Sequence, residues 1–201
     1  MTTGLRESKR LALRNSLSLT TVLLARERGL SNVRVVDIVN RVGVSRRTFG
    51  NYFSSKEDAI ADRHVSRTQA AADALSIRPA SEPIWTAVTH VILEPYKTES
   101  KHTSPSQSER DELLQILSDP EMQSAVDRGA RAATATLGAA IARRIGVSTT
   151  TDPRPCLVAN AALSTLLTTL EHWLGLEEPQ PLLSQLSESF RQLGAGLDHT
   201  L

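Results

Sequence analysis

The sequence has a single cysteine, Cys156, in 201 residues, which excludes an internal disulfide and fits a reducing cytoplasm. No apolar stretch reaches the roughly 20 residues of a membrane-spanning helix, and the polar, charged start carries no apolar signal core. Aromatics are only 3% of the chain while hydrophobics are 40%. The core must therefore be built from Leu, Val, Ile and Ala, a composition that suits helices. The histidines, His64, His90, His102, His172 and His199, show no metal-ligand spacing, and no glycine-rich phosphate loop occurs. Cys156, beside Pro155 at an expected helix start, reads as a small buried hydrophobe rather than a nucleophile. His64 and His172 read as core histidines. The chain is thus expected to be a cytoplasmic protein, not an enzyme, with no metal and no cofactor.

Acid is scarce at the start. Residues 1–56 hold eleven Lys and Arg against Glu7, Glu27 and Asp37, a net +8, and residues 57–201 hold twelve against nineteen, a net −7. The formal net charge of +1 conceals this division. A basic segment attracts phosphate and an acidic remainder is repelled by it, so DNA is expected to meet one end only.

Within the basic end, residues 33–56 read VRVVDIVNRVGVSRRTFGNYFSSK. Val35, Ile38, Val39 and Val42 fall at helical spacing and give one apolar face. Gly43 supplies a left-handed end for that helix, and Ser45 is placed to cap the next. The second helix, expected over 46–53, turns Phe49 and Phe53 inward and offers Arg46, Arg47, Thr48, Asn51 and Tyr52 outward. Two short helices at a steep angle, the second basic and polar outside, form the helix-turn-helix that sets a helix into the major groove.

The rest reads as all-α, about nine helices with no strand. A first helix is expected over 7–28, with Leu13, Leu17, Thr21 and Leu24 on one face and Gly29 ending it. Others follow over 55–76, 82–93, 109–117, 120–145, 155–174 and 182–197. Asp119 caps the helix that Pro120 begins. Residues 95–108, with two prolines and many polar side chains, read as a long loop. The last two helices are rich in Leu and Ala, more apolar surface than a monomer usually exposes. They are expected to form a two-fold, four-helix dimer interface through Leu163, Leu170, Leu183, Leu186, Phe190 and Leu193.

The stretch from Leu13 to Ile60 resembles the DNA-binding domain of TetR-type transcriptional regulators. The matching features are Gly29, the DIV before Gly43-Val44-Ser45, and the runs RRTFGNYF and SSKEDAI. The resemblance implies a three-helix DNA-binding domain over 1–54 and a ligand-binding and dimerisation domain over 55–201. By position it implies DNA contacts from Arg34, Ser45, Arg46, Arg47, Thr48, Asn51, Tyr52 and Lys56. Their chemistry agrees: arginines reach guanine edges or phosphates, hydroxyls and amides reach phosphates or bases, and Lys56 begins a helix whose free amides favour an anion. Three departures from the pattern stand out, one being Thr20 and Thr21 where alanines are common. Gly50 stands where an aromatic is usual, and Arg34 where a Thr or Ser caps the helix and contacts phosphate.

Beyond Ile60 the likeness is to the helical layout, and more distantly to regulators of the mycofactocin-regulator and fatty-acid-response kind. It implies that helices between 55 and 145 enclose an effector. Trp85, Val88, Ile92, Leu113, Leu117, Met122, Val126 and Leu167 are the apolar lining candidates, suiting a small hydrophobic effector such as an acyl chain or acyl-CoA. The expected protein is a homodimeric repressor, its partners a palindromic double-stranded DNA operator and that effector. A DNA-organising protein with no effector is the alternative.

Overall fold

The chain is described from a computed structural model, which covers residues 2–99 and 105–196. Among these residues helix is the sole regular structure. In chain order come α1 (Thr2–Arg28), a 3-10 turn (Leu30–Asn32), α2 (Val35–Val42), α3 (Arg46–Gly50), α4 (Lys56–Ser76), α5 (Ile84–Glu99), α6 (Gln107–Leu117), α7 (Pro120–Ile145), α8 (Arg154–Leu174) and α9 (Leu182–Ala195). The all-α expectation holds.

Two compact units result, Met1–His64 with Gln115–Gly129, and Val65–Leu114 with Ala130–Leu201. Each has its own core. The smaller unit buries Leu17, Leu24, Ile38, Val39, Phe49 and Phe53 together with Met122 and Ala125 of α7. The larger buries Leu75 of α4, Val88 and Ile92 of α5, Leu137 and Ile141 of α7, Leu163 and Leu166 of α8, and Leu186 and Phe190 of α9. Helix α4 contributes Ala59 and Ala61 to the first core and Ala71, Ala72 and Leu75 to the second.

Three helix boundaries differ from the sequence reading by three residues or more. Helix α1 begins at Thr2 rather than near residue 7. Helix α3 stops at Gly50 rather than at 53. Glycine weakens the turn there, yet Phe53 still donates its N–H to the Phe49 carbonyl at 3.0 Å. Helix α5 runs through Pro95 to Glu99, where a loop was expected. Proline removes one helical hydrogen bond, but Tyr96 just beyond is only 5% exposed. The Arg67 guanidinium lies 5.1 Å over the Tyr96 ring, and burial of that residue carries the helix past the break. Of the expected 95–108 loop, residues 100–104 lie outside the described residues, as do His102, Leu197 and His199.

Two arginines of the larger unit bind carbonyls at helix ends and in the loops beside them. Arg144 of α7 donates to the carbonyls of Leu75, Arg78 and Glu82 at 3.1–3.3 Å, and to that of Pro79. Those include acceptors that the end of α4 leaves without helical partners. Arg110 of α6, 5% exposed, donates at 3.0 Å to the carbonyls of Pro105, Leu176 and Glu177 and lies over the Trp173 ring. Neither role is announced by local sequence pattern.

Candidate nucleic-acid interface

Helix α2 forms because its apolar face meets the smaller core: Ile38 is fully buried and Val39 nearly so. Its start is satisfied from within, as the Asp37 carboxylate accepts the Arg34 N–H at 3.0 Å. Arg34 carries donors only, so it cannot accept the reciprocal cap bond, in line with its departure from Thr or Ser. Gly43 ends the helix at φ +79°, ψ +37°. There the Gly43 and Val44 N–H groups both reach the Val39 carbonyl, at 2.8 and 2.9 Å. A side chain at that φ costs roughly 1–2 kcal/mol.

Ser45 caps α3 as expected, its Oγ accepting the Thr48 N–H at 3.0 Å and lying 2.8 Å from Thr48 Oγ1. The Phe49 and Phe53 rings pack 5.6 Å apart inside, which fixes the opposite side of α3 toward solvent. Arg46, Arg47 and Asn51 are exposed there, with Thr48 and Tyr52 half-buried at its flanks. Arg34 is exposed at the start of α2. The guanidinium groups of Arg34, Arg46 and Arg47 make no hydrogen bond or ion pair within the described residues. Arg41, nearby, is instead held by Glu27 through two 3.0 Å bonds.

Gly50 is exposed, and a Cβ there would meet nothing within 4 Å. No packing in this chain demands the glycine, so Gly50→Ala is expected to stabilise the protein by about 0.5–1 kcal/mol through helix propensity. A lowered urea midpoint would contradict that reading.

Lys56 is placed differently from the open phosphate contact that its position implied. Its Nζ donates to the Leu30 carbonyl at 2.7 Å and the Val33 carbonyl at 3.0 Å, leaving one N–H of three for any other acceptor. It thereby ties the start of α4 to the turn before α2. Lys56→Met keeps the stem and loses both bonds, and is expected to cost about 1–3 kcal/mol of stability. An unchanged urea midpoint with a flatter salt dependence of DNA binding would instead assign the ammonium to phosphate.

A second tie was not legible in the sequence. Arg14 of α1 grips Asp62 of α4 with bonds of 2.6, 3.0 and 3.1 Å, and its guanidinium lies 5.7 Å over the Phe53 ring. Asp62 is 4% exposed, and its hydrogen bonding raises the Arg14 pKa against the opposing effect of burial. The partners stand 48 residues apart, so no spacing rule links them. Together, Lys56 and Asp62 fasten the first two turns of α4 to α1 and the helix-turn-helix.

The expected effector lining divides between the two units. Leu117, Met122 and Val126 belong to the smaller unit, and Trp85, Val88, Ile92, Leu113 and Leu167 to the larger. Val88, Ile92 and Met122 are at most 5% exposed and fill cores. An open groove of about 450 Å³ does lie between α5 and α9 in the larger unit. Of the eight candidates it contains Trp85 alone, beside Leu93, Thr89, His90, Lys97 and Arg191.

Three of the six expected interface residues, Leu163, Leu186 and Phe190, need correction as well. Leu163, Leu186 and Phe190 are at most 2% exposed and belong to the chain's own core, against which Leu170 and Leu183 also pack. Leu193 is half-buried. Apolar spacing marked the inner faces of α8 and α9, and the period alone does not say whether a face meets its own chain or a second one. On the outer face of α8 Leu157 is 63% exposed.

Comparison with known proteins decides the family. The model of the bacterial regulatory proteins of the tetR family matches residues 20–61, across the helix-turn-helix. That of the MftR C-terminal domain matches residues 82–198. The chain is also 32% identical over 177 residues to a Mycobacterium tuberculosis protein named as a mycofactocin biosynthesis transcriptional regulator, MftR, covering 85% of this chain and 83% of that one.

The chain belongs to the TetR family.

As a TetR-type regulator it is a DNA-binding transcriptional regulator, with a C-terminal part of the MftR type. Its fold is shared with a TetR-family regulator from Syntrophomonas wolfei at a TM-score of 0.61, with 15% identity and coverage of 94% of this chain and 98% of the other. The relatives are regulators, not enzymes. No described helix is long and apolar enough to cross a membrane, and no described His, Cys, Asp and Glu cluster is suited to a metal ion.

Proposed function

We propose that this TetR-type regulator is a cytoplasmic homodimeric repressor that binds a palindromic operator and leaves it when a small hydrophobic effector binds. The observation that carries the DNA reading is the set of three exposed guanidiniums, Arg34, Arg46 and Arg47, without protein partners, on the outer side of the helix-turn-helix. Arg46 and Arg47 would reach base edges or phosphates. Arg34, Ser45, Thr48, Asn51, Tyr52 and the remaining donor of Lys56 would fix register on the backbone.

The division at residues 54 and 55 assigns DNA to the first part, and effector and dimer contacts to the second. Because α4 is tied at Lys56 and Asp62, and its later turns lie in the other core, a displacement of α4 would carry the helix-turn-helix with it. An effector achieves release only by binding the DNA-free arrangement more tightly. Dimerisation is assigned to the outer faces of α8 and α9, where Leu157 is exposed. The distant likeness to fatty-acid-response regulators favours an acyl chain or acyl-CoA as effector.

Selection of genomic fragments by the purified protein, followed by footprinting, tests this. A two-fold symmetric site with half-sites about 34–36 Å apart, lost on adding effector, is the expected result. Salt-sensitive binding without an enriched sequence would point to a DNA-organising protein instead.

A further inference from the structure

The groove between α5 and α9 has an apolar floor with a basic rim. Trp85, Leu93 and Phe190 line it together with His90, Lys97 and Arg191, and no carboxylate lines it. That lining is of the described residues. The Trp85 and Phe190 rings stack 5.8 Å apart, and the indole N–H donates to the Phe190 carbonyl at 3.1 Å. This seat for the indole exists because residue 194 is glycine: a Cβ there would come within 2.4 Å of Trp85 Nε1. Any larger residue would push the indole away from α9 and into the groove.

Arg191 keeps capacity for a further anion. Arg191 engages Glu188 through Nε and Nη2 at 2.8 and 2.5 Å, leaving its Nη1 donors unengaged, and its side chain is 66% exposed. Lys97 meets Glu94 at 2.8 Å, and His90 lies 4.0 Å from the same carboxylate. Thr89 in the groove wall has a buried hydroxyl with no hydrogen-bond partner. The volume lies within the range of small-molecule clefts.

From this arrangement we propose that the α5–α9 groove binds a hydrophobic organic anion, its apolar body on Trp85, Leu93 and Phe190 and its carboxylate at Arg191 and Lys97. The proposal rests on the effector reading above, since it supplies that effector's place and charge. The long stem and planar fork of arginine suit a carboxylate, and the aromatic floor accepts either an alkyl chain or a ring.

The test uses the full chain labelled with 15N at its two tryptophans, titrated with decanoate, 2-naphthoate or neutral decanol. Either carboxylate is expected to move the Trp85 indole signal and leave that of Trp173, which is bonded to the Gln180 carbonyl, in place. Decanol should bind at least about tenfold more weakly than decanoate, as loss of a charged hydrogen bond implies. Arg191→Gln and Lys97→Gln, both at exposed positions, should weaken decanoate by a similar factor and leave decanol unchanged. The stronger of the two carboxylates identifies the tail as aliphatic or aromatic. Failure of both to move the Trp85 signal, or indifference to charge on ligand and protein alike, overturns the proposal. So does movement of that signal on dilution of the protein alone, which would make the groove an interface between copies. Operator release is measured separately. Binding at Trp85 without release leaves the site standing and refutes the effector reading, whereas release without a Trp85 response refutes the site alone.

Discussion

Phe190→Asp is expected to unfold the larger unit, not to separate a folded dimer into folded monomers. Phe190 and Leu186 are fully buried within one chain, and Phe190 stacks on Trp85 while accepting its indole hydrogen bond through the backbone. Removing a buried phenyl ring costs about 3–5 kcal/mol, and an unpartnered carboxylate in its place adds several more. The sum approaches the entire stability of an ordinary domain, about 5–15 kcal/mol. Circular dichroism and urea titration should show a largely unfolded chain at room temperature, with protonation of the new carboxyl partly restoring it as pH falls. Leu157→Asp is the matched control. At 63% exposure it should leave the fold intact and dissociate a dimer joined through the outer face of α8. A folded, monomeric Phe190→Asp protein would show that the inner face assigned here to the core faces a second copy.

Arg47→Ala should weaken specific operator binding by about 1–3 kcal/mol, roughly 5- to 150-fold, if the guanidinium reads a base edge. The side chain is exposed and has no partner among the described residues, so stability should change by no more than about 0.5 kcal/mol. This separates a DNA role from a structural one more cleanly than any variant at Lys56, whose ammonium also holds two carbonyls. The loss should be greatest on the selected site and small on random DNA. An equal loss on both, with a salt slope lowered by about one, assigns Arg47 to phosphate instead. Unaltered affinity on both removes it from the interface.

The helix-turn-helix was legible because its determinants are local. The apolar spacing of Val35, Ile38, Val39 and Val42, the left-handed Gly43 and the Ser45 cap each act within a few residues, and all appear as expected. The passage of α5 through Pro95 was not legible for the opposite reason. Local propensity argued for a break, and the burial of Tyr96 decided for the helix. The same limit applies to the effector candidates. A periodic apolar residue looks alike in the sequence whether it fills a core, as Val88 and Met122 do, or borders a groove, as Trp85 does.

By itself the sequence determined the helical class, the DNA-binding end and its exposed arginines, because charge, helix caps and apolar period are properties of short segments. Only the tertiary structure decided that Lys56 and Arg14 clamp α4, that Arg110 and Arg144 bind distant carbonyls, and that the inner faces of α8 and α9 are core. Those outcomes depend on which segments meet, the clamps and the distant carbonyls being bonded across 23 to 69 residues of chain. That meeting is fixed by the packing of whole helices, which no single segment encodes.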